Sequence, residues 1–84
     1  MTDWPTWWDR ELEFTPHVLK RMIDRQFNEA DLRLMLDQAI SFRENHEEGR
    51  FAIKTGHGGR PWEVIVEPLI SEQMLLVITA YPVD

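Results

Sequence analysis

The chain contains no cysteine. That excludes disulfide frameworks, thiol nucleophiles and cysteine-ligated zinc, and it fits a reducing compartment, so a cytoplasmic location is expected. No apolar run approaches the roughly 20 residues of a membrane helix. The acidic, tryptophan-rich start has neither the charge nor the apolar core of a secretory or transit peptide, so no membrane association is expected. Basic residues are the minority, 9 against 15 acidic, and the net charge of -6 disfavours non-specific attraction to nucleic acid. Serine occurs only at Ser41 and Ser71, neither in a nucleophile-elbow context, so a hydrolase triad is not expected. With 84 residues there is too little chain for a second core or a large cofactor cleft, and no cofactor is expected.

An apolar fraction of 43% with 29% charged residues is that of a globular chain. Residues 1–11, MTDWPTWWDRE, hold Trp4, Trp7 and Trp8 among acidic residues with no helical or strand period. They read as an irregular arm, whose rings either cover one end of the core or form a partner-binding surface. Residues 12–84 then form a single domain. Leu12 to Thr15 alternates as a short strand, and Thr15 before Pro16 is a helix start, the hydroxyl capping an early amide. The first helix is expected to reach about Gln26, with Val18, Leu19, Met22 and Ile23 as its apolar stripe.

A second helix opens at Asn28, with Asp31 completing an acidic capping box and Phe27 and Leu32 placed as a hydrophobic staple. Leu32, Met35, Leu36, Ala39 and Ile40, widened by Leu34, give its buried face, and it is expected to end near Ser41 or Phe42. Arg43–Gly49 reads as a solvated loop or the polar start of a strand. From Arg50 the period becomes two: Phe51, Ile53 and Thr55, a turn at Gly56–Gly59, then Trp62, Val64 and Val66 until Pro68. Gln73–Tyr81 is a long β-rich run, with Leu75, Val77 and Thr79 opposite Met74, Leu76, Ile78 and Ala80, and both faces apolar enough for a central strand. The fold class is therefore α+β: a short N-terminal strand and two helices packed on a curled antiparallel sheet of three to four strands.

His17, Arg21 and Arg25 recur every four residues with Lys20 alongside, a polar stripe on the first helix. An imidazole can move a proton near neutral pH and guanidinium forks match phosphate oxygens, so the stripe could place an acid–base group beside phosphate clamps; a solvated helix face is the plainer reading. Glu44, His46, Glu47 and Glu48 match no metal-ligand spacing, and a metal site is not expected. Gly56, Gly58 and Gly59 with His57 and Arg60 could expose amides to phosphate, but the helix that such loops open is lacking, which favours a plain hairpin.

The segments FTPHVLKRMIDRQFNEADLRLML, GRFAIKTGHGGRPWEVIVEPL and MLLVITAY together resemble a family of small bacterial and phage domains of unassigned function. These domains are grouped with RelE/ParE-like and BrnT-like toxins of the barnase, EndoU, colicin and RelE nuclease superfamily. The likeness spans roughly residues 12–82 and is carried by His17, Arg21, Met22 and Arg25 and by the run Val77–Tyr81. The family often has glycine then an aliphatic residue after the second arginine; Gln26 and Phe27 stand there in this chain. The resemblance implies a RelE-like fold and a toxin-like endoribonuclease working without metal. His17 would be base or acid, Arg21 and Arg25 with Lys54 or Arg60 would hold phosphate, Lys20 would add substrate contacts, and Thr79 or Tyr81 would orient substrate or donate a proton. RNA and an antitoxin-like protein or a second copy are the implied partners. The acidic balance supports the alternative, a non-catalytic protein-binding or regulatory module of the same fold.

Overall fold

The structure, a computed structural model, describes residues 10–83; Trp4, Trp7 and Trp8 lie outside the described residues. Strand β1 (Glu11–Phe14) leads into helix α1 (Pro16–Asp24) and helix α2 (Glu29–Asp37), followed by β2 (Ser41–Glu44), β3 (Phe51–His57), β4 (Arg60–Leu69) and β5 (Met74–Pro82). The five strands form one sheet in the order β1-β5-β4-β3-β2. β1 runs parallel to β5 and every other pair is antiparallel. The sheet is thus mixed and has one strand more than the three to four expected.

The helix termini follow the local chemistry. Thr15 caps α1, its hydroxyl accepting from the Val18 amide at 3.1 Å, with Pro16 in the first turn. At the other end Gln26 has φ 56° and the Phe27 amide donates to the Met22 carbonyl at 3.0 Å, a Schellman closure that uses glutamine where glycine is easiest. Asn28 and Asp31 exchange side chain-to-backbone bonds as a full capping box for α2. This helix ends at Asp37, earlier than the apolar pattern suggests, because Ile40 donates to the Lys54 carbonyl at 2.7 Å and the chain enters β2. Phe42 then pairs with Ile53 and packs on the core.

The β3–β4 hairpin turns on Gly58 and Gly59, with φ of 60° and 78°, the geometry that two-residue hairpins demand. β4 continues through Pro68, which pairs with Leu75. β3 starts at Phe51 opposite Val66, so Pro68 has a strand on one side only, a position that tolerates the missing donor.

Both helices share one core with one sheet face: Val18, Leu32, Met35 and Leu36 are buried against Ile53, Val64, Val66, Leu75, Val77 and Ala80. Buried Thr55 donates its hydroxyl to the Met35 carbonyl, satisfying one of the orphan acceptors at the end of α2. Four residues expected in the apolar helix faces are instead solvent-facing: Leu19, Ile23, Leu34 and Ile40. Two short helices spread over different strands each bury only a narrow stripe.

One extra residue decides the facing of β5. Thr79 pairs with Ile65 but Val77 with Val66, so Ile78 is bulged. Alternation restarts after it, which puts Ala80 with Leu75 and Val77 on the helix side and Thr79 and Tyr81 on the opposite side. The sequence pattern without the bulge gives the reverse for all three. β5 is an interior strand, but its helix-free side is only partly covered.

Candidate functional site

Of the polar stripe of α1, Arg25 alone is bonded to the end of β5 among the described residues. His17 and Lys20 are exposed. Arg21 pairs with Asp24 at 2.8 Å on its own helix. Arg25 donates to the Ala80 carbonyl at 2.8 Å. β1 ends opposite Val77, so the later part of β5 has no strand on that flank; Arg25 and the Thr15 hydroxyl, which donates to the Ile78 carbonyl at 2.8 Å, take its place. Arg25 therefore ties the helix to the sheet. The bulge turns Thr79 and Tyr81 to the side of the sheet away from the helices, whereas His17 is exposed on α1, so their facing does not bring these three together.

The helix-free side gathers a different set. Reading across the strands, Ser41, Lys54, Glu63 and Tyr81 are successive register partners and form one row. The adjacent row is Arg43, Ala52, Ile65 and Thr79. Arg43 crosses diagonally to Glu63 with an Nη2 to Oε1 distance of 2.8 Å, and Glu63 keeps only 17% side-chain exposure. Burial is the main cause that raises the pKa of Tyr81, helped by the Glu63 carboxylate and opposed by Arg43. The phenol therefore keeps its proton to higher pH than a free tyrosine does. A depression of about 410 Å³ lies beside this row, lined by the Arg43–Glu63 pair, Lys54 and Ser41 and by Ala52, Pro61, Trp62 and Val83. Further along the same face Arg50 is clamped by Glu67 at 3.2 Å and Glu47 at 3.0 Å.

Lys54 and Tyr81 were expected as functional residues; Arg43 and Glu63 were not. Their signal was present as alternation. Ser41 and Arg43 flank core-facing Phe42, and Glu63 lies between Trp62 and Val64, but Arg43 fell in a stretch read as loop or strand start.

A second concavity of about 470 Å³ separates α2 from the β3–β4 hairpin, with Leu34, Met35, Ile40 and Pro61 as apolar lining and His57 and Arg60 at the hairpin. Leu34 and Ile40 are 52% and 64% exposed there. His57 stands edge-on to Trp62 at 5.4 Å, and Trp62 in turn to Phe27 at 5.4 Å, so the imidazole is part of an aromatic stack. Among the described residues no group of three acidic, histidine or cysteine side chains could hold a metal ion. No helix of these residues is long and apolar enough to cross a membrane.

These features define a small α+β domain with two helices on one side of a five-stranded mixed sheet and a polar row on the other. The chain belongs to the DUF4258 family, a domain of unknown function, whose match covers residues 14–82. That match agrees with the expected family of unassigned function and carries no link to RelE- or BrnT-like toxins. Neither the curated proteins nor the solved structures compared with it give a match.

Proposed function

We propose that the chain cleaves RNA phosphodiester bonds on the helix-free sheet face. The observation that carries this reading is the in-register row Lys54–Glu63–Tyr81, with Arg43 bonded to Glu63, which supplies a carboxylate, a protonated phenol and two cations on one surface. In this scheme the Glu63 carboxylate takes the proton of a ribose 2′-hydroxyl. The 2′-oxygen attacks the adjacent phosphorus, Arg43 and Lys54 offset the charge of the phosphorane, and the departing 5′-oxygen takes a proton from Tyr81. The products are a 2′,3′-cyclic phosphate and a free 5′-hydroxyl. The overall charge of -6 is met by this local concentration of cations, which favours a contact with few phosphates and hence a shallow salt dependence.

The test is incubation of the purified chain with RNA of mixed sequence, with end-group analysis of any fragments. Glu63→Gln is expected to lower the rate about 10²- to 10⁴-fold, the usual weight of a general base. His17→Ala separates this site from a centre on α1: retention of rate places the chemistry on the sheet, and a loss equal to that of Glu63→Gln places it on the helix stripe. Absence of cleavage of every RNA offered, ribosome-bound message included, removes the proposal.

The cleft between α2 and the hairpin supports the second reading, a binding module, because Leu34 and Ile40 present apolar surface around a concavity. If self-association uses it, Leu34→Asp with Ile40→Asp makes the sedimentation behaviour independent of concentration.

A further inference from the structure

The depression beside Glu63 has an apolar part that the cleavage scheme does not use. Its volume of about 410 Å³ is near the lower end of small-ligand pockets and leaves room for one nucleoside. Ala52, Pro61 and Val83 give it apolar surface, and Ser41 adds a hydroxyl. Lys54, Arg43 and Glu63 line it too, so a group seated there has its phosphate side beside the row that carries the proposed chemistry. Val83, just after β5, is tied to the lining, since its amide donates to the Pro61 carbonyl at 2.8 Å.

We infer that this recess seats one unstacked base of a single-stranded RNA, and that it thereby selects single strands over duplex. The inference rests on the RNA reading above and deepens it. An apolar recess accepts a base by its faces, which in a duplex are already covered by neighbours; a base in a loop or single strand is free to leave its stack at little cost. Lys54 and Arg43 then meet the phosphate attached to that nucleoside. A free nucleotide shares this chemistry, but would gain nothing from a neighbouring phosphate.

The experiment measures affinity by fluorescence anisotropy, using an RNA strand methylated at every ribose 2′-oxygen so that it cannot be cut. The same strand is offered alone, annealed to its complement, and in competition with a nucleoside monophosphate. The single strand is expected to bind at least about tenfold more tightly than the duplex, the weight of one seated base. Ala52→Leu, which fills the floor, is expected to abolish that difference. Val83→Asp is a second variant at an exposed position just after β5 that leaves the interior strands untouched, and its expected loss is also about tenfold. Equal binding of single strand and duplex overturns the inference, as does a monophosphate that competes at the affinity of the whole strand. Failure of the cleavage reading shows separately, as unmodified RNA that stays intact while the methylated strand still binds selectively.

Discussion

Tyr81 is the sole tyrosine of the chain, so tyrosinate absorbance titrates it alone. Burial and the Glu63 carboxylate raise its pKa above the ordinary 10.0, with Arg43 pulling the other way. The folded phenol keeps its proton to higher pH than the unfolded one. Its contribution to stability is therefore intact below pH 10.0 and is lost as pH rises through the folded value. The expected titration has its midpoint above 10.0, moves down in Glu63→Gln, and shows no tyrosinate signal in Tyr81→Phe. A midpoint at the ordinary value would mean that the phenol is not desolvated, and one unmoved by Glu63→Gln that the carboxylate does not act on it. Gln26 offers a second test at this scale. It holds φ 56° in the closing turn of α1, a backbone region that disfavours a residue with a Cβ atom. Gln26→Gly should raise stability by about 1 kcal/mol in denaturant unfolding, whereas glycine in the helix interior would lower it.

At the scale of elements, α1 is fastened to β5 by side-chain bonds from Thr15 at its start and Arg25 at its end, with the Thr15 amide also donating to the Val77 carbonyl. Thr15 acts twice, capping the helix and bonding the carbonyl of the bulged Ile78. Thr15→Ala is expected to cost about 1–2 kcal/mol in urea unfolding, and Thr15→Ser to retain most of it, because only the hydroxyl is needed. The start of this helix was legible from Thr15 and Pro16 because capping is chemistry between near neighbours. The same holds for the Asn28–Asp31 box and for the Gly58–Gly59 turn. β2 was harder to read. Ser41–Glu44 has a strand's alternation over only four residues, and what makes it a strand is pairing with Phe51–Lys54, which no short window of sequence contains.

For the whole molecule, the one core is shared by both helices and a single sheet face. Met35→Ala, at a buried position on the core-facing side of α2, should therefore lower the stability of the entire domain by about 2–5 kcal/mol in one cooperative transition. Separate melting of helices and sheet would contradict a common core. The two-sided architecture also separates roles: the helix side holds the core cluster, and the other side carries Arg43, Lys54, Glu63 and Tyr81 beside the buried Ala52 and Ile65. That division is why the cleavage comparison between Glu63→Gln and His17→Ala is informative, since Glu63 stands on the helix-free side of the sheet and His17 is exposed on α1.

Residue order and local chemistry were enough to establish the α+β class, the two helices with their caps, and the hairpin, because each depends on contacts a few positions apart. Lys54 and Tyr81 were named only through the family resemblance, which says nothing of the face they share. Which side chains stand together was set by long-range pairing. A strand repeats every two residues, so the single bulged Ile78 reverses the facing of Thr79, Ala80 and Tyr81. That bulge is held by Thr15, 63 positions earlier in the chain, through a bond to a backbone carbonyl whose acceptor is the same in every residue type. The side chains between them do not encode it.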